Sequence, residues 1–376
     1  MSDSYPWDQY PLQELEERGI VSLGRGKIIS KVDIQENPGD YPIYSSSAKG
    51  EGLFGKYDNY MFDEELITWS VDGGGHLFYR PRHRFSVTNV SGYMRLDTSV
   101  FDYRFVHAIL SLQHSKLTFD YQAKAHPSVI RNIYHLPFTP LPEQKKIAEI
   151  LSGIDRRRCI YEVKKEKIFK LIEATINHFF VDIASTAPAA EIGSFGMVVT
   201  GSTPPTSDKS NYGEGISFIT PGDIDDNILV KTTKATLTAS GLKKTRVIPP
   251  NSVCVVCIGS TIGKVAISVV ESATNQQINS ISPGNYDPYY LLAAISHYNK
   301  DIRKAASTHA VPIINKSRFS EILIPRPSID AQKCLGRFIA SSYFSIELLD
   351  LLLKKNSFLA KSVASDLLSG RKRVSV

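Results

Sequence analysis

Cysteine is scarce in this sequence: four among 376 residues, at positions 159, 254, 257 and 334. Only Cys254 and Cys257 sit close together, inside the apolar run VCVVCI (253–258), and a zinc site would need a second such pair. The four therefore read as reduced thiols of a cytoplasmic chain rather than as a disulfide framework. No run of 18 apolar residues occurs, so no membrane-spanning helix is expected. The first residues, MSDSYPWDQYPLQELEERG, are acidic and lack an apolar core, so no secretory signal is expected. Catalytic signatures are missing too. There is no glycine-rich dinucleotide fingerprint, no Asn/Asp-Pro-Pro-Tyr/Phe motif, and no carboxylate pair followed by lysine in nuclease spacing. GSTIGK (259–264) resembles a phosphate loop, but three residues separate its glycines where four are needed, and Val265 follows the lysine. It reads either as a tight turn with Lys264 facing a phosphate or as a plain hairpin. No catalysis and no cofactor are expected.

What is present is organised by helices. LPEQKKIAEILSGIDRRRCIYEVKKEKIFKLIEATINHFFVD (141–182) keeps helical apolar spacing through Ile147, Ile150, Leu151, Ile154, Tyr161, Ile168, Leu171, Ile172, Thr175 and Phe179. Pro142 and Glu143 suit a helix start. About 40 residues at 1.5 Å each make a rod of roughly 60 Å, too long to be covered by one small domain. Its partner is expected at 328–369, where Leu335, Phe338, Ser342, Ser345, Leu349, Leu352, Asn356, Leu359 and Val363 alternate steps of three and four. That is a heptad seam, with Asn356 as a register-setting polar residue.

The two helix starts also match each other. LPFTPLPEQKKIAEIL (136–151) lies over IPRPSIDAQKCLGRFI (324–339) without a gap at an offset of 188, half the chain, pairing Gln144 with Gln332. LITWSVDGGGHLF (66–78) lies over CVVCIGSTIGKVA (254–266) at the same offset, and VTNVSGY (87–93) over ATNQQIN (273–279). The chain is therefore one unit written twice, a globular block followed by a long helix. Short β-type runs with Gly, Pro, Asn and Ser between them make each block α+β. Residues 1–23 read as a short acidic helix and 102–119 as a helix packed through Phe105, Ile109, Leu112 and Leu117. The expected division is 1–140, first block; 141–182, central helix; 183–327, second block; and 328–376, C-terminal helix and tail.

Charge adds a little. The net is +6, and the four segments carry −3, +2, +3 and +4 in that order. A mildly basic chain is compatible with a polyanionic partner. In the loop SVDGGGHLFYRPRHR (70–84), His76, Arg80, Arg82 and Arg84 suit phosphates or guanine edges, or are simply solvated. PPTSDKSNYG (204–213) is a polar loop able to reach a groove. Asn275, Gln276 and Gln277 could bond adenine, or satisfy buried backbone.

In sum these residues resemble the DNA-specificity subunit of type I restriction-modification systems. TGSTPPTSDKSNYGEGISFITPGDI, GSTIGKVAI, ATNQQINSI, LPFTPLPEQKKIAEILSGID and SDLLSGRKRV are similar to that family's motifs, in its order and over nearly the whole chain. The resemblance implies two β-rich target-recognition domains related by pseudo-twofold symmetry, separated by two long helices forming an antiparallel coiled coil. Each domain would read one half of a split, asymmetric DNA target, with the helices as ruler. Candidate contacts in the first block are Lys27, Lys31, Ser45, Lys49, His76, Arg80, Arg82 and Lys124. In the second they are Thr203, Lys209, Tyr212, Ser260, Lys264, Asn275, Gln276 and Lys316. The implied partners are double-stranded DNA, two modification (methyltransferase) subunits and restriction subunits. The alternative reading is a scaffold of two protein-binding modules on a coiled stalk.

Overall fold

The computed structural model describes residues 7–47, 49–72, 74–117, 125–224, 228–306 and 312–375. Lys124 lies outside them. The chain divides into two units, the first made of residues 1–160 and 353–376 and the second of residues 161–352.

The first unit is built on strands β1 (Val21–Arg25), β2 (Tyr41–Tyr44), β3 (Leu53–Tyr57), β4 (Phe62–Ser70), β5 (Leu77–Val87) and β6 (Ser91–Leu96). They form one sheet in the order β1-β6-β4-β5-β2-β3. Alternation puts Ile67, Trp69 and Met94 on the face that meets helix α1 (Tyr103–His114), through Phe105, Val106, Ile109 and Leu110. Asp102 caps α1, its carboxylate accepting from the backbone N–H groups of Arg104 and Phe105 at 3.0 Å. The helix stops earlier than its apolar spacing implies. The Ser115 hydroxyl donates to the Leu112 carbonyl at 2.8 Å, a local bond that competes with another helical turn, and Leu117 is left exposed. The acidic N-terminal stretch is likewise only partly helical. Leu12–Glu17 forms one helix with Leu12 and Leu15 buried, and Val21–Arg25 then becomes the sheet's first strand because its β partner, Ser91–Leu96, is available from 70 residues on.

The long helix α2 (Leu141–Ile183) starts in this unit. Its Gln144 is fully buried and accounts for three backbone groups. Its Oε1 accepts from Asp102 N at 2.9 Å, and its Nε2 donates to Val100 O and Thr139 O, both at 2.8 Å. Asn356 is buried as well, donating to the Ile154 carbonyl at 3.1 Å, so the polar seam residue expected from the heptads does meet the first helix. Ile147 and Ala148 share a core with Leu367 and Leu368, so the chains run antiparallel here.

The second unit repeats the plan with β7 (Gly196–Thr200), β8 (Tyr212–Ile219), β9 (Leu229–Val230), β10 (Val253–Val256), β11 (Val265–Ser268), β12 (Ser272–Thr274) and β13 (Ile278–Pro283). Strand order β7-β13-β10-β11 corresponds to β1-β6-β4-β5. The register agrees, since Val21 pairs with Leu96 as Gly196 pairs with Pro283, and Ile67 lies between Met94 and Tyr79 as Val253 lies between Ile281 and Ile267. Helix α3 (Pro288–His297) takes the place of α1 and is capped by Asp287, whose N–H donates to Gln332 Oε1 at 3.4 Å. Gln332 opens helix α4 (Ile329–Leu368) and is buried. In this unit Lys165 Nζ lies 2.6 Å from Asp350 Oδ1, Phe169 stands edge-on to Tyr343, and Phe180 packs with Leu335 and Ile339, again antiparallel. The seam of α4 is buried at Leu335, Ile339, Ile346 and Leu349, with Phe338 half-buried against the same core, while Leu359 and Leu171 face solvent. Apolar spacing alone cannot decide between neighbouring positions of a helix that has apolar residues on more than one side. Cys254 and Cys257 are buried, and burial pushes both thiols up to about 12, as suits core residues.

One contact in the first unit has no copy in the second. Arg373, past the end of α4, forms a fork on Glu143 with both bonds at 2.6 Å, while Ala331 stands at the matching position of α4. The Arg373 hydrogen bonds hold the Glu143 carboxyl below its ordinary value of 4.5, against the opposing effect of burial.

Two outcomes follow. Gln144→Ala leaves a buried N–H and two carbonyls without their partner and should destabilise the first unit by about 2–3 kcal/mol in denaturant melts, with Gln332→Ala acting on the second. Glu143 has a depressed folded value, so its contribution is full above about pH 4.5 and lost as pH falls through the folded value. The stability gap between wild type and Arg373→Ala should therefore be present at neutral pH and close below pH 4.5; a gap that stays constant into acid would refute the ion pair.

Candidate nucleic-acid interface

Each unit has a corner of the same construction. After β1 the chain passes through Gly26, whose N–H donates to Ser91 O at 3.0 Å, and Lys27, whose N–H donates to Val87 O at 3.2 Å. After β7 it passes through Gly201, donating to Ile278 O at 3.1 Å, and Ser202, donating to Thr274 O at 3.0 Å. A Cβ on Gly26 would stand 2.1 Å from Val87 O, and one on Gly201 2.2 Å from Asn275 O. Only glycine lets the lead-in segment press this closely on the neighbouring backbone. In both units the segment that leaves this corner runs at the surface, with Lys27 and Ile28 exposed in the first and Thr203 in the second.

In the first unit Thr88 forms a bridge with Lys27 and donates from its hydroxyl to Ser45 Oγ at 2.9 Å. Ser45 N donates to Gly52 O at 2.8 Å, bringing in the turn Lys49–Gly52. Lys27 is exposed and Ser45 half-buried. Arg80 also reaches this turn but is 2% exposed. Its guanidinium is spent on Thr68, Glu51 and the Tyr44 ring, so it is not free to meet a phosphate, contrary to the reading of the Arg-rich loop. Neighbouring Arg82 is exposed, 3.5 Å from Asp63 Oδ1. Lys31, at the start of the helix Lys31–Glu36, and His76 are exposed, the His76 ring 5.9 Å from that of His114.

In the second unit the lead-in loop is held from several sides. The Thr203 hydroxyl donates to the Gln276 amide oxygen, and Tyr212 OH donates to Pro204 O at 2.7 Å. Lys244 Nζ bonds Asp208 Oδ2 at 3.0 Å and Asn211 Oδ1 at 2.8 Å. Hydrogen bonds from Ser210 and Lys244 hold the Asp208 carboxyl down to about 2. Lys209 and Gln276 remain exposed. Asn275 is mostly buried, its Oδ1 accepting from Gln277 N at 3.1 Å and its Nδ2 donating to Gln277 Oε1 at 3.0 Å. It serves the backbone turn, the second of the two roles open to it. GSTIGK is a turn joining the antiparallel strands β10 and β11, not a strand-to-helix loop. Ser260 and Lys264 are exposed there, with Lys264 Nζ 3.4 Å from Ile224 O. Lys316 is exposed at the start of the helix Lys316–Ser320.

The structure thus gathers Lys27, Ser45 and the Lys49 turn at one corner, and Thr203, Asn275 and Gln276 at the matching one. Among the described residues, Lys31, His76, Ser260, Lys264 and Lys316 form no hydrogen bond to those corners. Sequence reasoning missed Gly26, Gly201, Asp208 and Lys244. Gly201 stood inside a quoted motif, but its pairing with Gly26 needs the strand alignment. Among the described residues no group of His, Cys, Asp or Glu could hold a metal ion, and no helix is long and apolar enough to cross a membrane.

Comparison with known proteins agrees on one family. The model of the type I restriction modification DNA specificity domain matches residues 7–170 and again 189–353. The specificity subunit of the type I restriction enzyme MpnII from Mycoplasma pneumoniae is 29% identical over 150 residues, covering 39% of this chain and 44% of that protein. Another relative from the same organism is 33% identical over 151 residues, and this chain spans 49% of its length, so about half. The crystal structure of a type I restriction-modification S subunit from M. genitalium superposes with a TM-score of 0.71 at 14% identity, covering 98% of this chain and 97% of that one, which establishes a shared fold.

The glycine constraint is testable. Gly201→Ala forces a Cβ to within 2.3 Å of two carbonyl oxygens and should cost about 1–3 kcal/mol in denaturant unfolding. Gly153→Ala, on α2 with open space around it, should be neutral or slightly stabilising in the same assay.

Proposed function

Because the chain belongs to the type I restriction modification DNA specificity family, we propose that it is the sequence-reading component of such a system and carries no catalysis of its own. Each unit reads one half of a split target, residues about 24–140 the first and about 191–327 the second, with the paired long helices as spacer. The observation that supports this most directly is the matched corner. Both units bring a glycine-forced surface segment against the strand end at Thr88 or Asn275, yet the side chains at the two corners differ. Equal geometry with unequal hydrogen-bonding groups suits two unlike half-sites, because base edges are told apart by donor and acceptor pattern.

The partners proposed are double-stranded DNA, two modification subunits that supply S-adenosylmethionine and flip the target base, and restriction subunits. This chain supplies orientation and specificity to that chemistry. The exposed lysines Lys27 and Lys209 flank the two corners and serve as phosphate contacts.

Mapping methylated bases in DNA from cells that carry this chain with its modification subunit should give one bipartite asymmetric motif. A contiguous motif, or none, would overturn the reading. Lys209→Ala should weaken DNA binding evenly across sequences and lower the slope of log K against log salt by about 1, leaving the motif unchanged. Binding that ignores salt would favour the protein scaffold.

A further inference from the structure

The turn Lys49–Gly52 is unusual. Gly50, Glu51 and Gly52 stand at φ of 58°, 54° and 79°, three successive left-handed residues, and the middle one is not glycine. L residues rarely take this conformation, and asparagine or glycine would take it more readily. A glutamate there, with its side chain exposed, is an outlier of the kind that collects at functional sites.

The protein holds this outlier with a buried cation. Arg80 lies in β5 and is 2% exposed. Its Nη2 donates to the Glu51 carbonyl at 2.6 Å, its Nε donates to Thr68 Oγ1 at 3.1 Å, and its guanidinium carbon lies 3.6 Å from the centre of the Tyr44 ring. Burying a guanidinium is unfavourable unless its hydrogens are matched, so the fold commits a charge to fixing one loop carbonyl. Gly52 O is held as well, by Ser45 N. The clamp belongs to the first unit. Ile67 faces Tyr79 as Val253 faces Ile267, so the residue matching Arg80 is Ser268, which is buried and donates to Pro249 O at 3.3 Å.

Resting on the function proposed above, we propose that Glu51 is a specificity-determining residue of the first unit. Its carboxylate accepts from the exocyclic amino group of a base in the major groove, and Arg80 is the positioning residue that holds it there. A carboxylate gains nothing from phosphates. Beside DNA its attractive partners are the amino groups of cytosine and adenine, cytosine being the usual match. The rigid turn presents it without loss of backbone freedom on binding.

The test is methylation mapping with the full chain and its modification subunit. Glu51→Gln should relax one position of one half-site by about 10- to 100-fold and leave the other half-site and the melting temperature unchanged. The identity of the relaxed position, cytosine or adenine, names the amino group read. Arg80→Met should relax that same position, and the double variant should do no more than either single one, a coupling that general loosening would not produce. If the wild type yields a bipartite motif but Glu51→Gln alters no position, the assignment of Glu51 fails while the function stands. If Arg80→Met degrades every position of its half-site equally, Arg80 is structural only. If the wild type yields no bipartite motif, the function and this inference fall together.

Discussion

Two buried glutamines carry the architecture. Gln144 and Gln332 each sit in the first turn of a long helix and accept the backbone N–H of an aspartate that caps the neighbouring head helix, at 2.9 Å for Asp102 and 3.4 Å for Asp287. The amide nitrogen donates to carbonyls of the approaching chain, Val100 and Thr139 in one case and Pro327 in the other. Neither side chain touches water, so no solvent molecule can substitute for a missing partner. The start of the long helix and the start of the head helix are thereby one structure within each unit. The head helix in turn carries the face on which the sheet packs, through Phe105 and Ile109 in one unit and Leu291 and Ile295 in the other.

On this shared frame the units differ where charge is used. The first closes Glu143 with Arg373, buries Arg80 under its turn and lays Arg95 against Glu64 with a shortest contact of 2.7 Å. The second secures its loop with Lys244 on Asp208 and with hydroxyl and amide groups at Thr203, Gln276 and Asn279. Exposed pairs such as Lys146–Glu149 add little to stability. The buried or forked ones set geometry, since a misplaced partner would strand a polar group inside the protein. A duplicated scaffold with unlike polar fittings suits the proposed reading of two unlike half-sites.

Much of the frame was legible in the chain. The offset of 188 matched Gln144 to Gln332, and both prove to be the same buried bolt. Asn356 was singled out as a polar break in an apolar seam and does bond the facing helix, at Ile154. Arg80 was misread, because a run of arginines on a Gly-rich hairpin looks solvated until the strand register turns one of them inward. Glu51 drew no attention, since a glutamate between glycines carries no signal until its φ is known.

The amino-acid order alone determined that the chain is a duplication, that each half ends in a long helix, and that these helices expose a stripe needing a partner. Those properties are local or periodic: they depend on residue spacing along one helix and on a comparison of the chain with itself. The tertiary structure alone decided which polar residues face outward at the corners. Gly26 meets Val87, Thr88 meets Ser45 and Arg80 meets Glu51 only after strands distant in sequence are paired. A side chain on a strand changes faces with a shift of one residue, so its exposure is set by register, and register is settled by the partner strand.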